Sequence, residues 1–317
     1  MIKTEGLSKQ FGKFTALHKL DLEIAEGDIF GFIGPNGAGK STTIKILTGL
    51  LTPSEGRASI MGIDCTGRAR DLRLKVGYMP DNFGVYEGLR VWEYLDFFCA
   101  AYRIPKRKRT EVIERVLDIT AASYTQDFYM EALSKGMKQK AGLAKTLLHD
   151  PAVVILDEPS SGLDPRARIE MRELIKKLKQ MGKTVMVSSH ILSELAEISD
   201  KIGIIEKGVL LAAGSVNEVM QKYRQDLIYE IEVLDDIERA EKALSQLVEK
   251  SFISGLEKIG EMFSFKICSG EEKDAVKLLN LLVKNHLGVK SFRPVEVNLE
   301  DVFMAVTNQA SGGPRDE

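Results

Sequence analysis

Short apolar runs bounded by glycine alternate with helix-period segments through the first two-thirds of the chain. Ile29-Phe30-Gly31-Phe32-Ile33, Val153-Val154-Ile155-Leu156 and Thr184-Val185-Met186-Val187-Ser188 carry the uninterrupted apolar character of parallel strands covered on both faces. A helix is expected from about Lys40 to Leu50, behind the first run. Another lies between the second and third, with Asp164 at its N-cap, Pro165 at the first helical position and Gly182 just past its end. Residues from about Val91 to Ala122 are also helical in pattern, with Val91, Leu95, Phe98 and Tyr102 at spacings of three and four. Within them Lys106-Arg107-Lys108-Arg109 reads as a solvated basic turn after Pro105. The pattern predicts an α/β domain with a mostly parallel sheet and a helical insertion.

The texture changes after about Lys222. Strand (Leu227 to Val233), helix (Ile237 to Val248), two strands (near Phe252 to Leu256 and Met262 to Ile267), helix (Glu271 to Asn285), strand (Val289 to Pro294) and a last helix (Leu299 to Val306) follow in order. This βαββαβ succession predicts a small ferredoxin-like α+β domain. The expected division is 1–220, 221–310 and a frayed tail at 311–317.

Length adds to this: 317 residues make two domains the prior expectation. The 44 basic and 46 acidic residues leave a net charge of −2, which gives no electrostatic footprint for a nucleic-acid partner. Apolar runs fall well short of the roughly 18 to 20 residues of a transmembrane helix. The polar start, Met1-Ile2-Lys3-Thr4-Glu5, is unlike a secretion signal, so the cytoplasm is the expected location. Cys65, Cys99 and Cys268 are odd in number and far apart, as reduced thiols are, and do not form a zinc-site spacing.

The chemistry begins with Gly34-Pro35-Asn36-Gly37-Ala38-Gly39-Lys40-Ser41-Thr42, which satisfies G-x-x-x-x-G-K-[ST] between an apolar strand and a helix. Glycines at 34, 37 and 39 let the backbone turn its N–H groups, with those of Asn36 and Ala38, toward phosphate oxygens, and the helix start adds its positive end. Lys40 is placed for the β- and γ-phosphates and Ser41 for Mg²⁺, which makes ATP and Mg²⁺ the expected ligands. The strand ending Leu156-Asp157-Glu158 delivers two carboxylates to the C-terminal edge of the sheet, where ligands of open α/β sheets sit. Side chains alternate along a strand, so the two differ in role: Asp157 toward the metal, Glu158 toward an attacking water.

Leu133-Ser134-Lys135-Gly136-Met137-Lys138-Gln139 supplies another anion-friendly helix start, capped by Ser134 and running toward His149. Taken with the cradle, Asp157-Glu158, Ser161-Gly162-Leu163-Asp164 and Ser188-Ser189-His190, its order and spacing resemble those of an ATP-binding cassette (ABC) ATPase subunit, over residues 1 to 220. The resemblance implies a P-loop NTPase fold and an active site completed by a second ATPase subunit, identical or homologous. It places Phe11 under adenine, with Phe14 as a rival, and assigns Ser134, Gly136 and Asp164 to contacts across the dimer. His190 becomes the sensor of the γ-phosphate and acts in catalysis with Glu158 and Lys40.

Two positions depart from the family pattern. Lys135 and Met137 replace residues of the commoner Leu-Ser-Gly-Gly-Gln signature, and Asp81, after Gly77-Tyr78-Met79-Pro80, stands where the family usually has glutamine. A carboxylate is a good Mg²⁺ ligand but lacks the amide donor, so Asp81 joins Ser41 and Asp157 as a metal candidate. The stretch through Tyr86, Trp92 and Tyr94 resembles the region that meets a membrane subunit. The C-terminal part, with Phe292-Arg293-Pro294 and Asn298-Leu299-Glu300-Asp301-Val302-Phe303, resembles an extension found on ABC ATPases with separate permeases. The expectation is therefore the ATP-hydrolysing subunit of a transporter, an exporter by the extension, peripheral on the cytoplasmic face of the membrane and working with multi-span permease subunits. A soluble regulatory ABC ATPase acting on ribosomes or DNA is the alternative. A small-molecule P-loop kinase leaves Ser134 to Gly136 and His190 unexplained.

Overall fold

The computed structural model describes residues 1–67, 69–84, 86–223, 228–234, 237–268, 272–284, 287–295 and 302–304. Two strands, β1 (Ile2–Phe11) and β2 (Phe14–Ile24), lead into β3 (Ile29–Ile33) and helix α1 (Lys40–Leu47). Then come β4 (Glu55–Ile60), β5 (Ile63–Asp64), α2 (Ala69–Lys75) and β6 (Val76–Met79). The helical insertion holds α3 (Val91–Ala101), α4 (Lys106–Ile119) and the start of α5 (Lys135–Leu147). β7 (Val153–Asp157), α6 (Pro165–Gln180), β8 (Thr184–Ser189), α7 (Leu192–Ala196), β9 (Lys201–Glu206) and β10 (Val209–Ser215) complete this part, and α8 (Val216–Tyr223) follows.

Among the described residues β1, β2, β4 and β5 form one antiparallel sheet in the order β2-β1-β4-β5, and a second sheet has the order β10-β9-β3-β8-β7-β6. Its pairs β9/β3, β3/β8, β8/β7 and β7/β6 are parallel, and only β10 runs the other way, at an edge. Every residue of β3, β7 and β8 is buried, which is why these strands read as unbroken apolar runs and not as alternating ones. Register matters more than composition here. Ile33 pairs with Ser189, and Asp157 with Ser188, so three adjacent strands end at one level.

The helices follow their end signals. Asp164 Oδ1 accepts the Ala167 N–H at 2.9 Å, Pro165 fills the first position, and Met171, Leu174, Ile175 and Leu178 bury one face. Each such side chain contributes roughly 1.5–3 kcal/mol over leaving it in water. Helix α1 is shorter than the sequence pattern predicts. It stops at Leu47 because Leu50 N–H returns to Lys45 O (2.8 Å) and Gly49 N–H to Ile46 O (3.0 Å), a Schellman ending. The basic stretch 106–109 is also not a loop: it forms the first turn of α4, with Pro105 as N-cap. Arg109 is tied down by Ile104 O (2.9 Å) and Asp96 (3.4 Å), which holds the turn helical despite its positive charge.

The chain divides into two units, residues 1–219 with Phe303 and Met304, and residues 220–302. In the latter, β11 (Ile228–Val233), α9 (Ile237–Glu249), β12 (Ile253–Ile259), β13 (Met262–Ile267), α10 (Glu272–Lys284) and β14 (Val289–Pro294) follow the order expected from sequence. Its sheet is antiparallel in the order β12-β13-β11-β14, the ferredoxin-like arrangement. Phe263, Phe265, Leu244, Leu278 and Leu282 form its core. Of the helix expected at 299–306 the description covers 302–304, and the tail at 311–317 lies outside the described residues.

Candidate nucleotide site

The loop from β3 to α1 is built by close approach. A Cβ on Gly34 would stand 2.3 Å from Ile205 O, and one on Gly39, whose φ is +109°, would stand 2.9 Å from Ala16 O. Bare backbone is required at both positions. Gly34 and Ala38 are buried behind the loop, while Asn36, Gly37, Gly39, Lys40, Ser41 and Thr42 line a cavity of about 310 Å³. Phe11 and Phe14 both border this cavity and are 48% and 63% exposed, so neither belongs to the core and the structure leaves them equal as a platform for a ring. Lys9 Nζ lies 5.1 Å from the Phe11 ring centroid.

Asp81 and Glu158 close the same cavity opposite the loop. Lys40 is almost fully buried; its ammonium donates to Gly34 O and Pro35 O and stands 3.2 Å from Glu158 Oε1. The other oxygen, Glu158 Oε2, meets His190 Nδ1 at 2.7 Å. One carboxylate thus bridges the cation of the cradle and the imidazole after β8. Glu158 Oε1 is buried and has the ammonium beside it as its charge partner, without a hydrogen-bond donor in line.

The backbone of Glu158 is left-handed, with φ +50°, a conformation a non-glycine residue holds only when its surroundings enforce it. Ser188 supplies the enforcement. The Glu158 N–H donates to Ser188 Oγ (3.0 Å) and Ser188 O (3.2 Å), and the Ser188 hydroxyl donates to Asp157 Oδ1 at 2.6 Å. Asp157 is buried behind Glu158 and does not itself line the cavity. Burial, and then the charges of Glu158 and Asp157, push the Asp81 carboxyl above the usual carboxylate range, against the opposing charges of Lys135 and His190. Tyr78 is pushed up to about 12 by burial and by the same carboxylates, Asp157 and Asp81.

Ser41, Asp157 and Asp81 offer hard oxygen donors near the cradle, the chemistry Mg²⁺ requires. Among the described residues no group of three His, Cys, Asp or Glu side chains forms a metal cage.

Ser134, Gly136 and Asp164 stand elsewhere. They line a separate cavity of about 450 Å³, with Tyr124 and Lys140 on its wall. Ser134 caps α5 by accepting the Met137 N–H (3.4 Å), and Asp164 caps α6, so two helix starts open on one surface. The Lys135 side chain folds back within its own subunit: a Cβ on Gly162 would stand 2.4 Å from Lys135 Nζ. Of the aromatic stretch expected at a membrane subunit, Tyr86 is half-exposed and Trp92 half-buried, but Tyr94 is fully buried and belongs to the core.

Sequence reasoning missed the structural part played by Ser188. A serine on a strand directly beside the two carboxylates was the available signal. It also missed Tyr78 and the Lys135 fold-back, since nothing in the local pattern points to either.

The family model described as ABC transporter matches residues 17–161, and that described as ATP-binding protein DrrA1-3-like, C-terminal domain, matches residues 214–307. An uncharacterized ABC transporter ATP-binding protein of Synechocystis sp. is 40% identical over 210 residues, which are 66% of this chain and 59% of that relative, so the match spans under two-thirds of its length. The bacitracin transport ATP-binding protein BcrA of Bacillus licheniformis is 33% identical over 305 residues, 96% of each chain. A solved dimeric structure of an ATP-binding cassette in a post-hydrolysis state, bound to ADP and Pi, superposes with a TM-score of 0.62 at 25% identity, covering 68% of this chain and 99% of that one. No described helix is long and apolar enough to cross a membrane. With a relative at this identity aligned from end to end, on a fold and a motif set that agree, the chain belongs to the ATP-binding proteins of ABC transporters.

Proposed function

We propose that the chain is the ATP-hydrolysing subunit of an ABC exporter, and that it works as a dimer on the cytoplasmic face of the membrane with multi-span permease subunits. The observation that carries the reading is the line Lys40, Glu158, His190, in which one carboxylate touches both partners within 3.2 Å. In this reading the amides of residues 36 to 42 and Lys40 bind the phosphates, and Phe11 or Phe14 takes adenine. Lys40 leaves Gly34 O, Pro35 O and Glu158 as the phosphates arrive, and the freed Glu158 accepts the proton of the attacking water. His190 orients Glu158 and senses the γ-phosphate. Ser41, with Asp157 and Asp81, would hold Mg²⁺, which when bound would supply positive charge to the phosphate groups.

Ser134, Gly136 and Asp164 serve the partner subunit's nucleotide, and their placement in a cavity separate from Lys40 supports this. Residues 1–220 form the ATPase domain and 221–310 an accessory domain that supports assembly. The full-length match to a bacitracin transport protein and the C-terminal family match favour export. The test has two parts. Purified chain should hydrolyse MgATP, and the chain should co-purify from membranes with a multi-span protein; recovery with ribosomes or DNA instead would overturn the transport reading.

A further inference from the structure

The loop after β6 carries Asp81 at the cavity and, two residues on, Phe83, which does not line that cavity. The Phe83 ring lies across helix α5 instead. A Cβ on Gly142 would stand 2.4 Å from Phe83 Cζ and 2.6 Å from Cε1, closer than carbon atoms approach, so the ring's para edge rests on bare helix backbone. One turn further along α5, the Lys145 ammonium sits 5.3 Å from the Phe83 ring centroid and 5.3 Å from that of Phe98, which belongs to α3. Burial lowers the Lys145 pKa, and the electron-rich faces of the two rings offset part of its lost hydration. Glycine inside a helix is destabilising relative to alanine, so Gly142 calls for a contact only a bare backbone allows.

We infer that Gly142, Lys145 and Phe98 form a socket for the Phe83 ring, and that Phe83 is thereby a positioning residue that fixes where Asp81 stands in the hydrolytic site. The inference rests on the reading of the chain as an ATPase. Asp81 lies only two residues from the clamped ring, with the exposed Asn82 between them, so displacing the ring displaces the carboxylate. A shift of about 1 Å in a catalytic geometry costs up to about 10²-fold in rate.

The experiment measures kcat and KM for MgATP on the full chain, as wild type, Gly142→Ala, Phe83→Leu, the double variant and Phe83→Tyr. Gly142→Ala is expected to lower kcat about tenfold while leaving KM within about twofold, although alanine is the better helix former. Phe83→Leu lacks the Cζ atom that meets the backbone, so adding Gly142→Ala to it should change kcat by less than about twofold. Phe83→Tyr directs a hydroxyl at the Gly142 backbone and should lose as much as Gly142→Ala. The socket is overturned if Gly142→Ala costs the same in both backgrounds, or if Gly142→Ala and Phe83→Tyr both turn over normally. An inactive wild type would strike the ATPase reading itself, whereas equal costs in an active enzyme strike the socket alone.

Discussion

Glu158 Oε2 and His190 Nδ1 lie 2.7 Å apart, although the residues are separated by 31 others and belong to loops after different strands. The contact orients a carboxylate whose other oxygen faces the cradle lysine. If Glu158 is the base, as proposed, this contact aims it before any substrate arrives.

Glu158→Gln keeps the size and the His190 contact but removes the proton acceptor. Turnover should fall about 10²-fold or more, with ATP binding preserved. Single-turnover hydrolysis beside equilibrium nucleotide binding checks this, and near-normal turnover would move the base to another group.

Lys40→Ala removes the cation and leaves Glu158 with its buried oxygen facing no positive charge. Nucleotide affinity should fall by about tenfold or more, as expected for a lost charge-assisted contact to phosphate. Isothermal titration with ADP and with a non-hydrolysable ATP analogue measures it; an unaltered Kd would contradict the phosphate role.

The three cysteines should separate by reactivity. Burial pushes the Cys65 thiol up to about 12 and Cys99 up to about 11, and both are buried, whereas Cys268 is exposed. The thiolate is the reactive form, so at pH 8 a thiol reagent should label Cys268 in the native protein and all three only after denaturation. Fast native labelling of two or three would show that the interior opens readily.

Acid should weaken the contact between the loop after α5 and the turn that leads into β8. The buried Lys183 ammonium donates to Asp150 Oδ1 and Pro151 O, both at 2.8 Å, and the first of these bonds is the main favourable cause holding the Asp150 carboxyl below the usual range. A depressed carboxyl stabilises the fold above its unfolded pKa and loses that contribution as pH falls through the folded value. Lys183→Met should therefore lower Tm by a few degrees at pH 7, and the gap should narrow below about pH 4. An equal gap at pH 3 would mean that the loss is of packing and not of charge.

Much of the architecture was legible because the signals were local. Buried parallel strands are apolar throughout, Asp164 and Ser134 announce their helices, and period-two and helix-period segments after residue 227 set out the ferredoxin-like order. The cradle and the two carboxylates were legible for the same reason. What escaped depends on three dimensions. The left-handed turn at Glu158 is held by Ser188 from a neighbouring strand, and the fold-back of Lys135 onto Gly162 needs a loop 27 residues away. The basic run at 106–109 misled because charge pattern speaks for solvation, whereas Pro105 and the Asp96 partner make it a helix start.

The common level at which β3, β7 and β8 end has a consequence for how the protein matures. Gly34, Glu158 and His190 each follow directly on the last residue of one of these strands. A slip of one residue in any pairing moves its follower by about 3.3 Å and turns it to the opposite face. On the proposed reading, a misregistered sheet would leave these three followers apart, so turnover would report on whether the central strands have zipped correctly.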